Sequence, residues 1–128
     1  MMNSLFFLVS ATLIVVYLVI KRVLFSGKIK SYEPYEVKDK IKNGRDVILL
    51  DVRTFTEHNR QNINGSVHIP LQELDRRVTE LNNYKNKELI CYCQSGSRSR
   101  IAALKLKKIG FNSANLNGGF TKWNLNKI

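Results

Sequence analysis

Residues Glu88 to Arg100 read ELICYCQSGSRSR, and this stretch leaves the chain few folds to choose from. Glu88-Leu89-Ile90-Cys91 has the apolar character of a short buried strand. A small, glycine-containing loop follows, Cys93-Gln94-Ser95-Gly96-Ser97-Arg98. From Ser99 the pattern turns helical: Ala102, Ala103, Leu106 and Ile109 fall on one stripe, and Gly110 stands where a C-terminal cap belongs. The chain therefore passes from strand to loop to helix N-terminus around a thiol. Small side chains let successive backbone N–H groups point inward, and the helix dipole adds positive potential at the same spot. Such a cradle favours the thiolate, which is the nucleophilic form.

The N-terminus carries a second constraint. Met1 to Ile20 contains no charged side chain, and Leu5 to Ile20 is apolar except for Ser10 and Thr12. About 20 helical residues span roughly 30 Å, the thickness of a bilayer core. A cleavable signal peptide needs a basic n-region and a small-x-small cleavage site, and neither is present. A buried helix this apolar would find nothing to cover it on so small a domain. The reading is a membrane anchor over residues 1–25, with Tyr17 and Phe25 near the interface. Lys21, Arg22, Lys28 and Lys30 all follow the segment, so the positive-inside rule places the rest of the chain in the cytoplasm.

These four residues also account for part of a net charge of +11, from 21 Lys+Arg against 10 Asp+Glu. The remaining excess is spread thinly, without a dense basic helix or interleaved aromatics, which argues against a nucleic-acid partner. Anionic lipid or a small anionic substrate fits better. Two cysteines are too few for a disulfide framework, and Cys91 and Cys93 lie too close along a strand to bridge. Free thiols facing a reducing compartment are expected.

Along the rest of the chain, residues 26–34 read as a linker, with Ser26-Gly27 breaking the helix and Pro34 opening the next one. A single domain is expected over residues 35–128. Tyr35, Val37 and Ile41 mark a short helix ending at Gly44. Val47 to Leu50 is a continuous apolar run of strand length, covered on both faces. Asp51-Val52-Arg53 closes it, and Thr54 with Glu57 forms a capping box for a brief helix. Gly65 to Pro70 holds another short strand. Leu71, Leu74, Val78 and Leu81 recur at helical spacing, with Asp75, Arg76 and Arg77 outward. Ser113 to Leu116 is a weak strand, and Gly118-Gly119 leads into a terminal helix around Trp123. Strands alternating with helices over short connections give an α/β unit with a mainly parallel central sheet. In such sheets the site lies beyond the carboxyl ends of the strands, where Cys93 stands.

Several segments together resemble the rhodanese-like sulfurtransferase domain. Leu49-Leu50-Asp51-Val52-Arg53 with Glu57 looks like its early signature, and Ile63 to Pro70 is similar to the segment that follows. Cys93 to Ser99 matches the loop pattern C-x-x-G-x-R-S. Ala102-Ala103, Gly110-Phe111 and Leu116-Asn117-Gly118-Gly119 through Trp123 supply the remaining landmarks. The likeness covers roughly residues 31 to 126, in order and in spacing. One departure is Gln61-Asn62, where the family usually shows Gly-His. The resemblance implies a three-layer fold and persulfide chemistry: Cys93 accepts a sulfane sulfur from a small anionic donor or a protein persulfide and passes it to a thiophilic acceptor. It implies no metal and no organic cofactor.

Within that frame Cys93 and Arg98 are the expected catalytic residues, and Gln94, Ser95, Gly96, Ser97 and Ser99 the loop that binds substrate and persulfide. A cation at a helix N-terminus opposes the dipole, and this conflict favours a role for Arg98 in attracting an anionic donor and stabilising the thiolate. Arg100 is expected in solvent. Asp51 and Arg53 are read as supports that pair or hydrogen-bond near the loops. Cys91 is read as a core residue, His58 as solvated, and His68 as structural or exposed. A zinc site from Cys91, Cys93, His58 and His68 has no recognised ligand spacing. Two rival readings stand beside sulfur transfer: a membrane-tethered binding module of the same fold without turnover, and a cysteine phosphatase or arsenate reductase.

Overall fold

The computed structural model describes residues 2–25 and 27–125. Met1, Ser26, residues 126–128 and the side chains of Met2, Leu24 and Phe25 lie outside the description, and with them the interfacial placement of Phe25. Helix α1, Met2–Phe25, is followed by strand β1, Lys30–Tyr32, helix α2, Pro34–Lys42, strand β2, Val47–Asp51, and helix α3, Phe55–Arg60. Strand β3, Val67–His68, helix α4, Leu74–Arg77, strand β4, Glu88–Tyr92, helix α5, Ser97–Lys108, strand β5, Asn112–Leu116, and helix α6, Gly119–Leu125, complete the chain. The strands form one five-stranded sheet in the order β1-β5-β4-β2-β3. Every neighbouring pair in it is parallel.

Alternation along β4 divides the core in two. Leu89, Cys91 and Cys93 face a layer with Leu74, Leu81, Ala102, Ala103 and Leu106. Ile90 and Tyr92 face the opposite layer with Val37, Ile63 and Phe120. All five residues of β4 are buried, as expected for a parallel strand with helices on both sides. The α/β class, the parallel sheet and the single preceding apolar helix agree with the sequence expectation.

Several local expectations need correction. Lys30–Tyr32, inside the stretch read as a linker, pairs with β5 as an edge strand. A polar three-residue edge carries no apolar period, so only its partner defines it. Strand β5, read as weak, lies inside the sheet between β1 and β4. Its alternate residues Ser113 and Asn115 are polar yet buried and bonded: the Ser113 hydroxyl donates to the Ala103 carbonyl at 2.6 Å. The amphipathic segment after Pro70 buries Leu74 and Leu81 as expected but is mostly 3₁₀, at Leu71–Glu73 and Val78–Tyr84, around the single turn α4. Val78, Thr79, Asn82 and Asn83 are poor helix formers, which favours the tighter, broken path. Ile109 does not continue the α5 stripe; it is exposed, and Phe111 packs in its place. The cause is the helix end: Gly110 adopts φ +97°, and Phe111 N–H donates to the Leu106 carbonyl while Gly110 N–H donates to that of Lys107. Of the apolar positions that mark α2, Tyr35 and Ile41 are exposed, leaving Pro34 and Val37 as its buried residues.

Candidate active site

Cys93 stands one residue beyond β4, at the carboxyl edge of the sheet, and Gly96 at φ +109° turns the chain into α5. The helix begins at Ser97 and not Ser99, so Arg98 lies in its first turn. The Cys93 Sγ accepts a hydrogen bond from the Gly96 N–H at 3.0 Å and lies 3.3 Å from the Ser99 hydroxyl. Cys93 has no accessible surface, and burial alone would raise its thiol. Hydrogen bonds from the Ser99 hydroxyl and from the backbone N–H groups of Ser99, Gly96 and Ser95 outweigh burial and hold the thiol below its ordinary value. Cys91 is two residues back with no such donors. Burial, with the neighbouring Cys93 adding to it, pushes its thiol up to about 12.

The loop is clamped from the C-terminal side. Phe120 N–H donates to the Cys93 carbonyl at 2.8 Å and Thr121 N–H to that of Gln94 at 3.1 Å. Gly119 allows this approach: a Cβ there would lie 2.5 Å from the Cys93 carbonyl oxygen. The Gln94 amide bridges outward, donating to Thr121 Oγ1 at 2.9 Å and accepting from Arg53 at 3.3 Å. The Ser95 and Ser97 side chains are exposed. Ser99 is buried, with its Oγ 2.6 Å from Asn115 Oδ1.

Asp51 and Arg53 form a buried pair beneath the neighbouring loop. Arg53 Nη2 lies 2.8 Å from Asp51 Oδ2 and also donates to the Gln61 carbonyl, while its Nε donates to Asp51 Oδ1. Its guanidinium also sits 4.5 Å from the Phe120 ring centroid and 5.4 Å from that of Tyr92. Burial acts to raise the Asp51 carboxyl, but bonds from Arg53 and His58 hold it below the usual carboxylate range. His58, expected in solvent, is half-buried: its Nδ1 lies 2.8 Å from Asp51 Oδ2 and its ring stacks on His68 at 4.1 Å. The polar sheet-end partner Asp51 draws it in.

Arg98 is not a free cation. Its Nη1 and Nη2 donate to Glu57 Oε2 and Oε1 at 2.8 and 2.9 Å, bridging α5 to α3. A cleft of about 580 Å³ opens beside this pair, lined by Arg53, Glu57, Arg60, Gln94, Phe120 and Thr121 among others. Among the described residues no group of three or more His, Cys, Asp or Glu side chains is placed to hold a metal. Local sequence patterns assign no site role to three contributors: they mark Glu57 as a cap, Asn115 as a polar interruption of a strand and Gly119 as a turn, although the family resemblance includes Glu57 and Gly119.

The family model described as Rhodanese-like domain matches residues 33–126, so the chain belongs to the rhodanese-like family. It is 40% identical over 87 residues to the "Putative sulfur carrier protein YrkF" of Bacillus subtilis, covering 67% of this chain and 46% of that protein. The chain thus spans about half the length of that relative. It is 30% identical over 88 residues to a sulfurtransferase of Allochromatium vinosum, covering 68% of this chain and 80% of the other. Among solved structures, a rhodanese-related protein from Thermoplasma volcanium superposes with a TM-score of 0.70 at 28% identity, covering 77% of this chain and 93% of that one. Relatives so named support sulfur transfer at the level of the family.

Proposed function

We propose that this chain is a membrane-anchored sulfurtransferase or persulfide carrier acting through Cys93. The observation that carries the reading is the donor cradle on Sγ, with Gly96 N–H at 3.0 Å and the Ser99 hydroxyl at 3.3 Å, holding the thiol below its ordinary value. The Cys93 thiolate attacks the sulfane sulfur of a small anionic donor such as thiosulfate; the S–S bond of the donor breaks and sulfite leaves with the electron pair. The persulfide that remains on Cys93 then yields its outer sulfur to a thiophilic acceptor, and the thiolate returns. Gln94, Ser95, Gly96, Ser97 and Ser99 surround the persulfide, Arg98 at the mouth stabilises negative charge, and Asp51 with Arg53 supports the loop from beneath. The helix segment Asn3–Val23 is long and apolar enough to cross a membrane, with a mean hydropathy of 2.3. With Lys21 and Arg22 at its C-terminal end and Lys28 and Lys30 beyond it, the domain faces the cytoplasm.

The phosphatase reading asks for a wider cradle. Four residues, Gln94 to Ser97, separate Cys93 from Arg98, one fewer than the five of a cysteine phosphatase loop, and a ring that tight suits one sulfur atom over the oxygens of phosphate. The Glu57 carboxylate is tied to Arg98 and held down to about 2, a poor general acid.

Intact mass of the full chain after thiosulfate or polysulfide tests the proposal. One added sulfur is expected, released as thiocyanate by cyanide; Cys93→Ser abolishes the addition and Cys91→Ser retains most of it. Hydrolysis of an aryl phosphate with no persulfide in the mass spectrum overturns it.

A further inference from the structure

The strand registers set one end of the domain apart from the site. Val47, Glu88 and Asn112 lie level across the sheet, and Lys30 is level with Ala114, so strands β2, β4, β5 and β1 all begin at one edge. Cys93 lies beyond the opposite edge. Five residues of β4 separate the two, a rise of about 16 Å. Lys28 and Lys30 before and in β1, Arg45 before β2, Lys85 before β4, and Lys107 and Lys108 before β5 all cluster at the entry edge, and all six are exposed. None of the six forms an ion pair among the described residues, whereas Lys40, Arg53, Arg77, Arg98, Lys105 and Lys122 do. The exposed carboxylate of Asp46 shares this edge, and Glu88 there is bonded to Lys40.

Two further features distinguish this end. The Lys107 ammonium donates to the Lys28 carbonyl at 3.1 Å, and Ile29 packs on the core, so the chain leaving α1 is pinned against the end of α5. From Phe25 to Lys28 the backbone reaches at most about 11 Å, so the basic edge stays near the end of α1 at any angle between helix and domain. At the same edge Ile109 projects as an exposed apolar side chain just after Lys107 and Lys108, the pairing expected of a surface that dips into a headgroup layer.

We infer that the entry edge of the sheet is a seat for an anionic lipid surface: Lys28, Lys30, Lys85, Lys107 and Lys108 rest on lipid phosphates, Ile109 enters the headgroup layer, and the Cys93 loop is held facing away from the membrane. The seat rests on the reading of α1 as an anchor. It gives the domain a fixed orientation in which soluble donors and acceptors reach the site without passing the bilayer.

The test places the full chain in nanodiscs of phosphatidylcholine with and without phosphatidylglycerol and follows lysine acylation by peptide mass spectrometry. Labelling of Lys85, Lys107 and Lys108 falls about threefold or more in the anionic disc, Lys122 is unchanged, and 1 M salt, with a Debye length of about 3 Å, restores the faster rate. Lys85→Glu with Lys108→Glu returns Lys107 to its phosphatidylcholine rate and leaves persulfide formation unchanged. Equal labelling in both discs, on a chain that floats with lipid, overturns the seat while leaving the anchor standing. A chain that does not float with either lipid overturns both. Protection by duplex DNA but not by phosphatidylglycerol overturns the lipid as the partner.

Discussion

Arg98 holds both carboxylate oxygens of Glu57, at 2.8 and 2.9 Å, across a sequence separation of 41 residues. The cation that a helix N-terminus should repel is thereby neutralised, and the mouth of the Cys93 loop is latched to α3.

Arg98→Ala is expected to raise the Cys93 thiol and to lower kcat/KM with an anionic donor about tenfold to a hundredfold, the scale of a charge-assisted hydrogen bond of about 1.5–3 kcal/mol. Glu57→Gln works in the other direction on binding: an unneutralised guanidinium lowers KM for thiosulfate. Steady-state kinetics of both variants, with iodoacetamide alkylation rates, decide the matter. Unchanged alkylation and turnover in Arg98→Ala would show the residue to be a bystander.

The same pair predicts a pH dependence of folding. Arg98 first, and then the N–H and hydroxyl of Thr54, hold Glu57 from the ordinary 4.5 down to about 2. A carboxyl depressed in the folded state stabilises above its ordinary value, so the contribution is complete above about pH 4.5 and disappears as pH falls towards about 2. Both side chains are about a third exposed, so screening limits the contribution to about 1 kcal/mol. Denaturant midpoints of wild type and Glu57→Gln should differ at pH 6 and converge near pH 2.

Ser99→Ala removes one of the donors that offset burial at Cys93. The midpoint of thiolate formation, read from alkylation rate against pH, should move upward, with far-UV circular dichroism unchanged. A midpoint that stays in place would assign the depression to the backbone N–H groups alone.

Arg53→Ala leaves the Asp51 carboxylate buried without its main partner and also frees the Gln61 carbonyl and the Gln94 amide. Breaking one side of a buried pair costs about 3–5 kcal/mol. Thermal unfolding should show a loss on that scale, larger than for Arg98→Ala.

Gly119→Ala puts a methyl 2.5 Å from the Cys93 carbonyl oxygen at a backbone φ of +59°. The clamp formed by Phe120 and Thr121 N–H groups must open, with a destabilisation of about 1–3 kcal/mol from strain. Persulfide yield should fall together with Tm. A variant with native Tm and native yield would show the clamp to be dispensable.

Some of this was readable from the chain because it rests on neighbours in sequence. Continuous apolar runs located β2 and β4 and a period of 3.6 located α5, the Thr54–Glu57 box appears as expected, and the order strand–loop–glycine–helix put Cys93 at a sheet edge. Contacts between distant residues left no such trace. Lys30–Tyr32 becomes a strand only because β5 offers it a ladder, and Asn115 is tolerated in the core because Ser99 and Ser31 meet it. His58 leaves solvent for Asp51, Gly119 is required because the Cys93 carbonyl lies against it, and Arg98 is paired with Glu57. Burial and hydrogen-bond satisfaction are properties of the packed chain, and a local pattern records them only where the partner is itself local.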